Sequence, residues 1–412
     1  MLKLKKLDAL IVLLMFALLP IDMINGIMLR NAIILPITLG QVFKLIIIAV
    51  LFFRFFIFNF KLLVTSFLMF LMLLAPTFYQ ILIHVDASFL FSDIIKVSKY
   101  LTPLFSFFFF RDYINRQDAI ELKQLFKLVR FSYIILVVNI LIKYIGLGYP
   151  MYRYGDIGSK GFFYAGNETS ALLIILSAIL AHSILLTSKR WKFYAFMTFS
   201  LVVGISIGSK TGVLGILLLM LLIPIKQSSI RLSSKGLQKL NYKLFAYVPL
   251  IGFGAWLALK SSAGYERISY FWNKLDVLTF VFSHRNFFFL DAYKVFKEKY
   301  KLMEMFIGVG QTKYEFLNNS KIIEIDIADI FFTYGLMGIL LFIFLIEKLL
   351  TKSFRFSKIK EYKHTNFVFL MVFILLGISS ISGHVFSSGM SAIFIGLLFS
   401  LMYLKNYGLA KK

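Results

Sequence analysis

The sequence predicts an all-α polytopic integral membrane protein: about twelve transmembrane helices and one large extracytoplasmic loop containing short helices. Three observations carry this. The 412 residues are 59% hydrophobic and only 16% charged, with a mean hydropathy of +0.83. A soluble globule of that composition would expose large apolar patches, and a disordered chain is poor in apolar residues, so both are excluded. Apolar runs of about 20 residues, the length that crosses a bilayer, recur along the chain. Lys and Arg fall in alternate loops, as the positive-inside rule requires.

In order, the expected spans are Leu7–Ile24, Ala32–Phe53, Leu62–Ile83, Ser88–Phe110, Leu128–Leu147, Ser170–Thr187, Trp191–Ile207, Thr211–Ile225, Leu244–Leu259, Ala328–Leu345, Asn366–Ser382 and Ser387–Leu404. The first follows a basic start, Lys3, Lys5 and Lys6, without a small-residue cleavage site behind it, so an uncleaved span is expected rather than a signal peptide. About 27 of the 45 basic residues fall on one side of this arrangement, whereas the short loops opposite hold Arg30, Arg153, Lys160 and Lys210. Both termini are therefore expected in the cytoplasm. The net charge of +25 is mostly orientation signal, and no nucleic-acid partner is expected. With no Cys, disulfides, thiolate metal sites and Cys nucleophiles are excluded; the five His are scattered, and no metal or cofactor is expected.

Residues 1–412 read as a single multi-span membrane domain in which one connection stands out. The loop at 260–327 is far longer than an ordinary connection, carries about ten basic and eight acidic residues, and is rich in Tyr and Phe. Its middle, Asn286 to Tyr300, spaces apolar residues at helical intervals with Lys between them, which predicts an amphipathic helix on the membrane surface. A loop this long, facing outward, is where function is expected.

Five short motifs could carry chemistry. Arg153 to Glu168 combines Arg153 and Lys160 with several Gly, suiting a phosphate-bearing ligand, while Asn167 or Thr169 could simply cap the next helix. Gly208-Ser209-Lys210-Thr211-Gly212 lacks the Gly before Lys that a P-loop needs; it places one cation in a tight turn at a helix N-terminus, or a snorkelling Lys. Ser283-His284-Arg285, with Arg267 upstream, offers two Arg for a diphosphate, or ordinary solvated charges. Gly308-Val309-Gly310 precedes Glu324, Asp326 and Asp329 at the entrance to a span, where carboxylates are costly; one of them could accept a proton, or Asp326 and Asp329 could form a capping-box variant. Ser382-Gly383-His384 places a His at another membrane boundary, for proton transfer or merely in a wet loop.

In this order, the motifs resemble those of the O-antigen polymerase and O-antigen ligase family: Arg153, Gly161-Phe162 and Asn167 before a central span, the Ser209-Lys210-Thr211 turn, Ser283-x-Arg285 in a large loop, Gly308-x-Gly310, and Gly335-x-x-Gly338 opening the next span. The resemblance covers about residues 150–390. The ligases carry a His eleven positions before the first Gly of the last motif; here that position is Glu324, which points to the polymerase branch. The resemblance implies a metal-independent glycosyltransferase of the bacterial cytoplasmic membrane. It would join undecaprenyl-diphosphate-linked repeat units on the outer face, with such a glycan as donor and another as acceptor, in the bilayer; a chain-length regulator is a further conceivable partner. It implies Glu324 as the base with Asp326 as alternate, Arg153, Lys210, Arg267 and Arg285 for the diphosphate, and Lys160, Asn167, His284, Asp329 and His384 for substrate. A ligase-type transferase stays open, as does a lipid-linked oligosaccharide flippase or transporter, for which Lys44, Lys96, Lys99 and Lys143 inside expected spans would speak.

Overall fold

The computed structural model describes residues 2–33, 35–85, 87–116, 119–152, 156–224, 263–359 and 361–405. Among these the fold is all-helical. The first half is a run of long helices: α1 (Leu2–Arg30), α2 (Leu39–Phe58), α3 (Phe60–His84), α4 (Leu90–Arg116), α5 (Ala119–Leu141), α6 (Gly166–Thr187), α7 (Arg190–Ile207) and α8 (Lys210–Leu222). Five short helices follow: α9 (Ala263–Lys274), α10 (Val277–Phe282), α11 (Arg285–Lys299), α12 (Leu302–Ile307) and α13 (Gln311–Leu317). Then come α14 (Asp326–Ser357), α15 (Thr365–Ser382) and α16 (Ala392–Ser400), the last continued by a single 3-10 turn.

Six of these helices are long and apolar enough to cross a membrane: Lys3–Arg30, Leu39–Phe58, Phe60–Ile83, Leu122–Ile145, Glu168–Thr187 and Asp326–Ser357. Three shorter apolar ones, Lys210–Leu222, Thr365–Ile381 and Ala392–Tyr403, add to them. A multi-pass membrane protein is what this describes. Of the twelve expected spans, Leu244–Leu259 lies outside the described residues, and each of the others overlaps a helix. One of these, α4, is interrupted by Asp93, Lys96, Lys99, Arg111 and Asp112, so its apolar character is diluted. It lies at the centre nonetheless: α16 packs along it so closely that a Cβ on Gly396 would come 2.6 Å from the Phe107 amide nitrogen.

The charges of α4 are used inside the bundle. Arg54 of α2 is fully buried and donates to Asp8 of α1 (2.5 Å) and Asp112 of α4 (2.9 Å), tying three helices at one end. Toward the other end, Asp93 accepts from Thr77 of α3 (2.6 Å) and from the amide and hydroxyl of Thr312 (2.7 Å each). Lys96 pairs with Glu315 at 2.8 Å, and Gln80 donates to Glu304 at 2.8 Å. These contacts clamp α12 and α13 onto α3 and α4. Apolar chain alone could not have set that register, because buried polar groups must find specific partners.

The predicted helix over 286–300 is present as α11. It turns Phe288, Val295 and Phe296 onto a small second core of Tyr300, Val309, Tyr314, Ile323 and Phe332, while Phe287, Leu290 and Tyr293 stay exposed. The loop thus folds on itself against the start of α14. Inside α14 the backbone breaks at Gly335, where φ is 63° and ψ is −160°. The break frees the Thr333 carbonyl, which accepts from the amides of Val309 and Gly310 at 3.1 Å each. A Cβ on Gly308 would lie 2.1 Å from that same oxygen, and one on Gly335 would lie 2.6 Å from the Gly308 nitrogen. Only glycine fits this backbone on either side, so the two glycine motifs are halves of one joint.

Candidate active site

The start of α14 and the loop between α15 and α16 meet backbone to backbone. A Cβ on Gly383 would fall 1.7 Å from the Glu324 carbonyl oxygen. Asp326 locks the contact: its carboxylate accepts the amides of Val385 and Phe386, both at 2.9 Å, and the hydroxyl of Ser387 at 2.6 Å. A capping box of Asp326 and Asp329 is not what forms. The N-cap is Ile325, Asp326 reaches across to the other loop, and Asp329 turns back to accept the Ile323 amide (3.0 Å) and the Tyr314 hydroxyl (3.1 Å). Local capping lost because both carboxylates found donors elsewhere, Asp326 further along the chain and Asp329 before its own helix.

That docking brings His384 to Glu324. The imidazole Nε2 lies 3.7 Å from one Glu324 oxygen, and Nδ1 is 3.3 Å from the Ser387 hydroxyl. The other Glu324 oxygen accepts from Nη2 of Arg285 at 2.7 Å, from the first residue of α11. Glu324 therefore sits between the guanidinium of Arg285, at the start of α11, and the imidazole of His384, in the loop between α15 and α16. At 3.7 Å the His384 contact is mainly charge against charge. Glu324 (φ 62°), His384 (φ 51°), Ser283 (φ 51°) and His284 (φ 70°) all hold left-handed backbones without being glycine. Such conformations are costly and cluster at functional sites.

Protonation follows from this arrangement. Burial opposes charge on Glu324, but the adjacent His384 and then Arg285 outweigh it and hold the carboxyl at about 2, below its ordinary 4.5. For His384, burial works against the imidazolium. Glu324, helped by Asp326 and Glu168, overcomes it and raises the imidazole above its ordinary 6.5.

A second carboxylate closes the other side of the same loop. Glu168, near the start of α6, accepts the Ser388 hydroxyl (2.8 Å) and the Met390 amide (3.0 Å). Lys44, Lys99 and His384 supply the positive charge around it. Lys44 also pairs with Asp22 at 3.0 Å. This inner group of Glu168, Lys44 and Lys99 was not foreseen as a site. Glu168 had the right signal, a carboxylate at a span entrance beside Asn167, the same criterion that singled out Glu324.

The other expected residues are placed as follows. Lys210 donates to the Phe280 carbonyl at 2.8 Å and stands 3.6 Å from the centre of the Phe280 ring, steadying α10 just ahead of Arg285. The expected cap at Asn167 or Thr169 is not used: Ala165 is the N-cap, and Thr169 donates its hydroxyl to Gly166. Lys160 reaches the Tyr164 carbonyl at 3.0 Å in a separate loop. His284 is exposed beside Phe287. Arg153 and the side chains of Asn167 and Arg267 lie outside the described residues. The structure thus brings Glu324, Asp326, Arg285 and His384 together, with Asp329 one turn behind and Lys210 one helix away.

An all-helical, multi-span membrane protein with a charged site at the seam of its long loop is the class so defined. Residues 260–406, which run from that loop to the last helix, match the family model described as O-antigen ligase like membrane protein. This match supports the O-antigen ligase and polymerase family that the motifs resemble. No curated protein and no solved structure matches the chain.

Proposed function

We propose that this protein is a polysaccharide polymerase of the bacterial cytoplasmic membrane, joining undecaprenyl-diphosphate-linked repeat units on the outer face. The observation that carries the reading is Glu324 held between Arg285 and His384. Glycosyl transfer to a sugar hydroxyl needs a proton acceptor and positive charge at the leaving diphosphate. In the proposed step the acceptor oxygen attacks the anomeric carbon and the bond to the diphosphate oxygen breaks. The hydroxyl proton passes to the His384–Glu324 pair, and undecaprenyl diphosphate leaves.

A carboxyl held at about 2 is a weak base by itself. The proposed division of labour is therefore that neutral His384 takes the proton and ionised Glu324 stabilises the imidazolium that results. Arg285 suits the diphosphate: its planar fork gives Nη2 to Glu324 at 2.7 Å and Nη1 only distantly to the Phe282 carbonyl at 3.5 Å, and its Nε has no hydrogen-bond partner among the described residues. Lys210, Arg153 and Arg267 are the further cations assigned to the diphosphate, and Lys160, Asn167, His284 and Asp329 to substrate. Asp326 is proposed to shape the loop that presents His384, since three donors already occupy its carboxylate.

The proposal includes about twelve spans, cytoplasmic termini and an outward loop at 260–327, supported by the Lys and Arg asymmetry. A ligase-type transferase is the second reading. His384 favours it, because folding supplies next to Glu324 the imidazole that the ligases carry in sequence. The test is a deletion strain: lipid-linked single repeats accumulating on the outer face, with polymer restored by the wild-type chain, support the polymerase. Accumulation on the inner face would point to a flippase, and intact polymer lacking attachment to its final acceptor would point to a ligase.

A further inference from the structure

Next to this site, α3, α4, α14 and α16 line an open-sided cavity of about 610 Å³. Its walls are apolar, with Leu73 from α3, Leu104 from α4, Leu345 from α14 and Phe399 from α16. Along α14 beyond the break at Gly335 it extends from Gly338 to Arg355, about 26 Å of helix at 1.5 Å per residue, close to the roughly 30 Å thickness of a bilayer core. The two ends differ in chemistry. At one lie Tyr334 and Phe386, the latter donating its amide to Asp326. At the other, Arg111, Lys348, Lys352 and Arg355 converge, and the lining includes no Asp or Glu among the described residues.

These cations have little else to bind. Lys348 lies 3.5 Å from Glu347, both well exposed. Arg111, Lys352 and Arg355 form no ion pair among the described residues; Arg111 rests near the rings of Phe107 and Phe108, and Lys352 near those of Phe356 and Tyr403. Orientation accounts for basic residues on this side of the bilayer in general, but not for the convergence of four of them on the mouth of one apolar slot. A lipid with an anionic headgroup at the basic end uses both the charge and the apolar slot, and basic pockets between membrane helices bind such headgroups. We infer that this cavity is a binding site for an anionic glycerophospholipid, its phosphate on Arg111, Lys352 and Arg355 and its acyl chains between α4 and α14. The inference does not depend on the glycan chemistry proposed above and can be tested without glycan substrate.

The experiment is lipid retention by the purified full-length chain, read by native mass spectrometry after equilibration with equimolar phosphatidylglycerol and phosphatidylcholine. Phosphatidylglycerol should be retained preferentially. Each cation removed should cost about fivefold, so Arg111→Gln, Lys352→Gln and Arg355→Gln together should reduce retention about a hundredfold. Glu324→Gln should leave it unchanged. Should the triple variant fail to elute as a single folded species, the wild-type salt series decides: the preference should shrink as ionic strength rises. Equal retention of the two lipids overturns the inference, as does a preference that survives the triple variant or is indifferent to salt. Displacement of phosphatidylglycerol by an undecaprenyl diphosphate probe would reassign the cavity to the substrate tail.

Discussion

Replacing Glu324 by Gln keeps the shape of the side chain and removes the negative charge between Arg285 and His384. Holding the carboxyl at about 2 instead of 4.5 corresponds to about 3 kcal/mol, at about 1.4 kcal/mol per pKa unit. The side chain is 32% exposed, so solvent screening brings the contribution to about 1–2 kcal/mol. The pH window follows from the two directions. The depressed carboxyl contributes stability that is present above its unfolded value of 4.5 and lost as pH falls toward about 2. The raised imidazole contributes stability that is present below 6.5 and lost as pH rises through its higher folded value. The pair therefore stabilises most between 4.5 and 6.5. Thermal unfolding of the two proteins in the same detergent, scanned from acid to alkaline pH, isolates this contribution, because every other titrating group is common to both. The gap between wild type and Glu324→Gln should be widest in that window and narrow above it. A gap that is constant with pH, or absent, would refute the coupling of Glu324 to His384.

Other outcomes follow from the same geometry. In the wild type the acid limb of the pH–activity profile should lie above 6.5, and in Glu324→Gln it should move to lower pH, because burial then acts on His384 with less opposition; an unmoved limb would take His384 out of proton transfer. Arg285→Lys should lower activity at normal protein level, since a point charge replaces a fork that serves two partners, and unchanged turnover would make Arg285 a plain surface charge. Asp326→Ala strands the amides of Val385 and Phe386 and should cost about 2–6 kcal/mol at about 1–3 kcal/mol for each buried donor left unpaired, measurable as a fall in unfolding temperature. Gly335→Ala should sharply reduce folded yield, whereas Gly377→Ala, where an added Cβ meets nothing within 4 Å, should be neutral or stabilising by up to about 1 kcal/mol; equal yields would contradict the glycine joint.

Much of the helical frame was legible because the signals that specify it are local. A run such as Ala171 to Leu186 declares a buried helix by composition alone, and the Asn286–Tyr300 spacing declares α11 without knowledge of its neighbours. Glu324 and His384 were each singled out from the sequence at membrane boundaries, and Arg285 as one of two Arg in the long loop. What no local signal carried is that they are one site. Glu324 and His384 belong to separate loops, and the contact between them is made by Asp326 binding the 385 and 386 amides and the Ser387 hydroxyl, and by Gly383 lying against the Glu324 carbonyl. Local reasoning offered Asp326 a place in its own helix cap or a part in proton transfer, and tertiary structure instead gave its carboxylate three donors in a buried place.

The sequence by itself determined a membrane-spanning helical chain with one long, charged loop, because hydropathy and its period are properties of neighbouring residues. Tertiary structure alone decided which charges meet, how Gly308 and Gly335 interlock, that Glu168 with Lys44 and Lys99 backs the same loop, and that an apolar cavity ends in a basic cluster. Those depend on which helices pack together, and in a chain this rich in apolar surface it is the few buried polar contacts and close glycine approaches that select one packing from many.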